Sequence, residues 1–152
     1  MKKYIVITGG AGFVGSNLIE YLIKNTKYKI ISIDNYSSGS IKNHILSKKV
    51  RYIKGDCVNI GKLLLNLKKK INSLFHFGEF SRIYQSFNKF NECFYSNSQG
   101  SQAVFKFCLD NKIKLIYSAT SATLGSNSDD RNLSPYAFPK FKNLELLENL
   151  KR

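Results

Sequence analysis

The chain has 152 residues, a length that fits one domain and allows two at most. Hydrophobic residues make up 43% of it and aromatic residues 13%, which excludes a globally disordered chain. The net charge is +14, yet 20 of the 24 basic residues are lysines scattered along the chain, which favours a solvated surface over a nucleic-acid site.

The sequence does not favour a membrane-spanning segment or a metal site. No apolar run reaches the roughly 18 residues that a membrane-spanning helix needs, and the first run, residues 4–7, is too short for a signal peptide. Cys57, Cys93 and Cys108 are far apart, so neither a zinc site nor a disulfide framework is indicated. The sequence predicts a cytoplasmic protein with no metal, membrane or nucleic-acid partner; a nucleic-acid binder, motivated by charge alone, is the weakest alternative.

Five apolar, β-branched runs alternate with helical patterns. The runs predict strands over residues 3–8, 29–34, 50–54, 74–77 and 114–118. Apolar side chains at helical spacing predict helices over residues 13–24, 60–70, 92–111 and 136–150. Strand–helix alternation with continuous apolar strands indicates an α/β fold, a doubly wound parallel sheet with helices on both faces.

A glycine-rich turn joins the first predicted strand to the first predicted helix. Gly9, Gly12 and Gly15 follow a Gly-x-x-Gly-x-x-Gly spacing. Gly9 lets the chain turn tightly out of the strand, Gly12 lets a pyrophosphate approach the backbone, and Gly15 lets the helix pack closely on the strand. Because the helix N-terminus presents unpaired N–H groups, the turn predicts a dinucleotide phosphate site.

An acidic residue, Asp34, ends the second predicted strand, 19 positions after Gly15. Its carboxylate can accept hydrogen bonds from both hydroxyls of an adenine ribose and would repel a 2′-phosphate. Asn35 and Tyr36 follow without a nearby Arg, so NAD is predicted as the cofactor rather than NADP.

Tyr136 and Lys140 lie four residues apart at the start of the last predicted helix, which places both side chains on one face. An ammonium beside a phenol favours the phenolate, so Tyr136 is a candidate acid/base. Hydroxyl side chains at Ser118, Thr120 and Ser121 follow the fifth predicted strand, at the sheet edge where ligands of such folds bind. The combination indicates a catalytic site.

These motifs resemble the extended short-chain dehydrogenases/reductases, the NAD-dependent nucleotide-sugar epimerases and dehydratases, from residue 1 to about residue 142. The resemblance implies a Rossmann-type sheet of about five strands in the order 3-2-1-4-5. Family members are roughly double this length. Residues 1–152 are therefore expected to form an NAD-binding domain without the C-terminal substrate-binding domain. The matching segments are residues 8–17, 34–39, 55–56, 75–78, 97–100, 116–125 and 134–136.

The resemblance also implies roles in cofactor binding. Asp56 and Cys57 would flank the adenine, and Asn97 would be a buried polar group that fixes the local backbone. His76 is expected to be a packed core histidine rather than a catalytic one. The remaining implied cofactor-binding residues are Phe13, Val14, Asn35, Ser38, Gly39, Phe77, Gly78, Glu79, Ser81 and Ser118.

The reaction implied by the resemblance is transient oxidation of a sugar hydroxyl to a keto-sugar, followed by re-reduction. Thr120 would bond the sugar oxygen, Tyr136 would accept the proton, and Lys140 would hold the nicotinamide ribose. Residues 120–122, Thr-Ser-Ala, lack the carboxylates of dehydratases, which favours an epimerase of UDP-sugars; a dehydratase or a reductase stays an alternative. Ser121 and Arg82 would touch substrate, although Arg82 has the equal alternative of pairing with Glu79.

Several features depart from the family pattern. Pro139 precedes Lys140, and in a helix that begins at Pro135 it would delete a backbone hydrogen bond and predict a kink. Leu124 replaces a common Tyr, and the loop at residues 126–133 is short. These departures support a second hypothesis, a non-catalytic dinucleotide-binding module. The apolar stripes of the helices at 92–111 and 136–150 predict a homodimer.

Overall fold

The computed structural model describes residues 3–121 and 134–150. The five apolar runs form one parallel sheet in the order β3-β2-β1-β4-β5, which confirms the predicted topology. The fourth strand begins three residues earlier than predicted. The strands are β1 (Tyr4–Thr8), β2 (Lys29–Asp34), β3 (Val50–Lys54), β4 (Ile71–His76) and β5 (Lys114–Tyr117).

Helices and helical turns connect the strands. The α-helices are α1 (Phe13–Asn25), α2 (Ile60–Leu63), α3 (Ile83–Asn88), α4 (Phe90–Phe94), α5 (Ser101–Asp110) and α6 (Ala137–Leu150). The 3₁₀ turns are Ile41–Asn43, Cys57–Asn59 and Lys68–Lys70, and a π-helix spans Tyr95–Gly100.

Two helix predictions need correction. The helix predicted over residues 60–70 is wrong beyond its first turn: α2 ends at Leu63, and turns closed on the Leu64 carbonyl by the N–H groups of Leu67 and Lys68 lead into the 3₁₀ turn. The helix predicted over 92–111 is interrupted by the π-helix, and α3 was not predicted. Phe138 N–H donates to the Ser134 carbonyl at 3.1 Å, so helical hydrogen bonding begins just before Pro139, which has no N–H for the Pro135 carbonyl. That carbonyl lies 3.5 Å from the Cys93 sulfur, whose thiol donates to it, and the predicted kink stays a prediction.

The core forms two layers, one on each face of the sheet. Alternate residues of β1 point to opposite faces: Ile5 and Ile7 pack with Ile19 of α1, whereas Val6 packs with Val104 of α5. This double coverage explains why the strands read as continuous apolar runs. Among the helices of the described ranges, none combines the length and apolar character needed to cross a membrane.

The carboxyl ends of the parallel strands lie along one edge of the sheet. Thr8, Asp34 and His76 are the last residues of β1, β2 and β4, and Thr8 lies opposite His76 in the ladder. The connection after β1 leads to β2 on one side of β1, and the connection after β3 leads to β4 on the other side. This divergence opens a crevice at the sheet edge, the place where ligands bind in such folds.

Candidate active site

The glycine-rich turn lies in the crevice, and its geometry requires glycine. Gly9 has φ +70°, and a Cβ there would lie 2.6 Å from the Phe77 carbonyl carbon. A Cβ on Gly15 would lie 2.3 Å from the Gly9 carbonyl oxygen. Gly12 precedes α1 without a side-chain cap, so the first N–H groups of the helix are left for an anion.

Asp34 holds the shape of the loop beside the glycine turn. One carboxylate oxygen accepts the Ala11 N–H at 2.9 Å and the other accepts the Tyr36 N–H at 2.8 Å. Asp34 is only 9% exposed, so its carboxylate is a buried part of the crevice wall rather than a solvated surface group. Asn35 donates to the Asp56 carboxylate at 3.1 Å, which links the β2 and β3 loops.

A pocket of about 250 Å³ runs along the crevice. It is lined by most of the residues predicted to bind the cofactor, and also by four that sequence reasoning missed: Ile33, Ser37, Gly55 and Ser96. Six of the predicted site residues do not line the pocket: Asn97, Tyr136, Lys140, Arg82, Thr120 and Ser121. The predicted residues in the lining are Gly9, Gly12, Phe13, Val14, Gly15, Asp34, Asn35, Ser38, Gly39, Asp56, Cys57, Phe77, Gly78, Glu79, Ser81 and Ser118.

Cys57 contributes a neutral thiol to this pocket. Burial raises the pKa of the Cys57 thiol to about 12, so the side chain carries no charge near neutral pH. Its sulfur lies 3.5 Å from the Gly78 carbonyl oxygen, to which the thiol donates. All three cysteines are free and buried.

Lys140 lies at the other end of the crevice, next to the carboxyl ends of β4 and β5. Its ammonium forms an ion pair with the Glu79 carboxylate and donates to the Ser118 carbonyl oxygen at 2.7 Å. The ammonium also lies 4.9 Å from the centre of the Tyr117 ring. The partner of Glu79 is therefore Lys140 rather than Arg82, whose side chain is exposed at the start of α3.

Besides its ion pair, Glu79 accepts hydrogen bonds from α5, from β5 and, at 3.5 Å, from Asn143 of α6. The Ser101 hydroxyl of α5 donates at 2.6 Å, and the Tyr117 hydroxyl of β5 donates at 3.0 Å. Burial and the Glu79 charge raise the pKa of Tyr117, which keeps that phenol protonated as a donor. Asn143 of α6 in turn donates to the Tyr117 oxygen at 3.1 Å.

His76 extends the same network toward the glycine turn. Its Nε2 lies 3.1 Å from the Ser101 hydroxyl and its Nδ1 lies 2.6 Å from the Thr8 hydroxyl. Because the Ser101 hydrogen goes to Glu79, Nε2 carries the imidazole proton and Nδ1 accepts from Thr8. Burial lowers the pKa of His76 to about 4, so the ring is neutral. It is fully buried, as expected for a core histidine.

Asn97 fixes the backbone behind the pocket, as expected. It lies in the π-helix, accepts the Phe80 N–H at 2.7 Å and donates to the Phe80 carbonyl at 3.0 Å. Its own carbonyl accepts from Asn143 at 2.7 Å. Asn97 therefore supports the pocket by holding the loop after β4 in place. Direct contact between Asn97 and the cofactor stays a prediction.

Of the three predicted hydroxyl side chains, only Ser118 lines the pocket. Ser118 donates to the His76 carbonyl at 3.2 Å and lines the pocket, whereas Thr120 is half-buried and Ser121 is exposed. Tyr136 is half-buried just before α6. The departures at Leu124 and residues 126–133 lie outside the described residues.

Comparison with known proteins identifies the family. Residues 5–152 match the family described as "Epimerase: NAD dependent epimerase/dehydratase family". The chain belongs to this family. The predicted resemblance is confirmed, and NAD, the predicted cofactor, is the cofactor that the family's description names.

Individual relatives extend well beyond this chain. An ADP-L-glycero-D-manno-heptose-6-epimerase of Brachyspira hyodysenteriae is 29% identical over an alignment of 147 residues, which covers 90% of this chain and 46% of that protein. An uncharacterized UDP-glucose epimerase of Bacillus subtilis is 28% identical over an alignment of 145 residues, which covers 86% of this chain and 45% of that one. The chain thus spans about half the length of the curated relatives it matches.

Solved structures give the same picture. A UDP-N-acetylglucosamine 4-epimerase from Methanobrevibacter ruminantium, in complex with UDP-N-acetylmuramic acid, has a TM-score of 0.84 at 30% identity and covers 98% of this chain and 51% of that one. The UDP-glucose 4-epimerase of Thermotoga maritima, with UDP-glucose, has a TM-score of 0.86 at 24% identity, with 98% and 51% covered; it supports the fold alone.

Proposed function

We propose that this chain is an NAD-dependent nucleotide-sugar epimerase, or the N-terminal catalytic part of one. The observation that carries the proposal is the layout of the crevice. A glycine-lined pocket with Asp34 lies at one end, and Lys140, with Glu79 and Ser118, lies at the other. A dinucleotide bound along this edge would bring its redox end to the side of Tyr136 and Lys140.

The pocket residues fit NAD. The glycine turn is tight, since a Cβ on Gly9 or Gly15 would clash with backbone atoms, and the uncapped start of α1 at Gly12 lines the pocket, where its N–H groups would hold a diphosphate. Asp34 has spare acceptor capacity for ribose hydroxyls, because each carboxylate oxygen uses one N–H donor and can take another. The same charge disfavours a 2′-phosphate, so we propose NAD over NADP.

The proposed chemistry is proton transfer at the sugar, and three side chains would perform it. Tyr136 Oη would accept the proton of the sugar hydroxyl and return it after the sugar carbon has been re-reduced. The Thr120 hydroxyl would donate to the developing alkoxide, and Lys140 would supply positive charge beside both. Bound NAD supplies the chemistry that these side chains lack, by accepting a hydride from the sugar carbon and returning it.

We propose a UDP-sugar as substrate and an epimerase rather than a dehydratase. The absence of carboxylates in Thr120-Ser121-Ala122 supports the reaction type. The names of the relatives support a nucleotide-sugar, although they include both ADP-heptose and UDP-glucose enzymes. The net charge of +14 favours any such anion.

The test is spectroscopic. Protein saturated with NAD⁺ is mixed with a panel of UDP- and ADP-sugars, and the near-ultraviolet absorbance of bound NADH is followed. An epimerase should form bound NADH transiently with at least one sugar, and Tyr136→Phe should abolish the signal while NAD⁺ still binds. A flat response across the panel, with intact NAD⁺ binding, would contradict the proposal.

That flat response would select a second candidate, a non-catalytic dinucleotide-binding module. One observation favours it: the Lys140 ammonium is engaged by Glu79 and the Ser118 carbonyl. Calorimetry would then show NAD⁺ binding without turnover.

We further propose a homodimer that acts in the cytoplasm. Exposed aromatic side chains of α4 and α6 support the dimer: Phe90, Phe94 and Phe138 stack in a row, with ring centres 5.5 and 6.1 Å apart. Phe90 is 50% exposed and Phe138 is 38% exposed, so the row forms an exposed apolar patch of the kind that marks an interface between proteins. Sedimentation showing a strict monomer at high concentration would refute the dimer.

The three free cysteines support a reducing compartment.

A further inference from the structure

Glu79 and Lys140 form a nearly dry ion pair in a place where an apolar contact would cost less. Their side chains are 3% and 5% exposed, although the chain has many exposed positions for both residue types. Burying two charges is costly, and breaking such a pair leaves an unpaired charge in the interior. A pair kept at this cost calls for an explanation beyond fold stability.

The location of the pair provides one. Glu79 follows β4 directly and lines the cofactor pocket, and Ser118, whose carbonyl takes the second Lys140 hydrogen bond, lines it as well. An ammonium has three N–H donors. Since Glu79 and the Ser118 carbonyl fix two of them, the direction of the third is fixed too.

The carboxylate itself is fixed independently of Lys140. Ser101 and Tyr117 donate to one of its oxygens, and His76 in turn donates to Ser101. The groups that direct Glu79 thus come from α5, β5 and β4, and also from α6, where Asn143 lies 3.5 Å from the same oxygen. The orientation of the ammonium is therefore set by a carboxylate that several elements hold, and not by the Lys140 side chain alone.

We propose that Glu79 is a positioning residue, which holds the Lys140 ammonium at the edge of the cofactor pocket and thereby sets the affinity for NAD⁺. The proposal rests on the proposed function in so far as Lys140 contacts NAD. It makes Glu79 act through Lys140, so the two side chains should be coupled in NAD⁺ binding as well as in stability.

A double-mutant cycle tests this coupling. NAD⁺ dissociation constants are measured by calorimetry, and urea midpoints by circular dichroism, for the wild type, Glu79→Gln, Lys140→Met and the double variant. Glu79→Gln should weaken NAD⁺ binding about tenfold when Lys140 is present and less than about twofold in the Lys140→Met background. The urea midpoint of the double variant should fall by less than the sum of the two single losses.

Glu92→Gln is the matched control, because it breaks an exposed Glu–Lys pair on α4. It should change neither quantity. Where Glu79→Gln fails to fold, Glu79→Asp, which keeps the charge and shortens the reach, enters the same cycle.

Three results would overturn the proposal: equal weakening in both backgrounds, a lower midpoint of Glu79→Gln with unchanged NAD⁺ affinity, or strictly additive urea midpoints. The second result is the signature of a purely structural pair. If the wild type binds no NAD⁺, the proposed function fails, and the urea cycle alone decides whether Glu79 holds Lys140: coupled midpoints support that holding and additive ones refute it.

Discussion

Acid should destabilise this protein through a single buried imidazole. His76 is neutral in the fold because burial lowers its pKa from the ordinary 6.5 to about 4. Below pH 6.5 the unfolded chain binds a proton there that the folded chain does not bind until about pH 4. The contribution of His76 to stability is thus complete above pH 6.5 and is lost as the pH falls toward 4. The loss is about 1.4 kcal/mol per pH unit, or about 3 kcal/mol in all.

The assay is urea unfolding, followed by circular dichroism at several pH values between neutral and about pH 4, on the wild type and on His76→Gln. Glutamine can still bond Ser101 but takes up no proton, so the variant should lose about 3 kcal/mol less over this range. His44→Gln is the control: it removes the chain's other histidine, keeps His76, and should retain the loss. Parallel curves for the wild type and His76→Gln would refute the reasoning.

Four further substitutions test the crevice and its support. Gly15→Ala should abolish NAD⁺ binding and cost roughly 1–3 kcal/mol of stability, because its Cβ would lie 2.3 Å from a backbone oxygen; calorimetry with wild-type affinity would contradict this. Asp34→Ser should weaken NAD⁺ binding about tenfold and improve the ratio of NADP⁺ to NAD⁺ affinity, and an unchanged ratio would count against the role of the carboxylate. Ser32→Ala should be neutral or stabilise by about 1 kcal/mol, since the Ser32 hydroxyl is buried without a hydrogen-bond partner in the described part of the chain. Ser101→Ala, which removes a hydroxyl with two buried partners, should cost about 1–3 kcal/mol; equal thermal unfolding of the two variants would show that the network adds nothing.

The parts of the site that lie close together in the chain could be predicted from the sequence. The glycine turn needs only a strand, a helix and the small size of glycine, and Asp34 needs only the end of the next strand. Helical spacing alone predicts that Tyr136 and Lys140 are neighbours, and this stays a prediction, since Tyr136 lies just before α6. Five apolar runs separated by helical patterns were also enough to predict the parallel sheet.

Local irregularities were harder to predict than the architecture. Apolar spacing alone predicts one helix at residues 60–70 and another at 92–111. The first ends after one turn and the second contains a π-helix, in which Asn97 bonds Phe80 across the loop. Side-chain and backbone hydrogen bonds of Asn97 with distant residues accompany the break in helical periodicity at the second place.

The amino-acid sequence by itself determined the strand–helix alternation, the phosphate turn and the acidic end of β2, because these depend on backbone sterics and apolar periodicity within a few residues. Only the tertiary structure decided the polar network behind them. Thr8 and His76 are 68 positions apart and 2.6 Å from each other, since β1 lies beside β4. Glu79 meets Lys140 across 61 positions. Hydrogen bonds and ion pairs depend on distance in space, and strand order sets that distance.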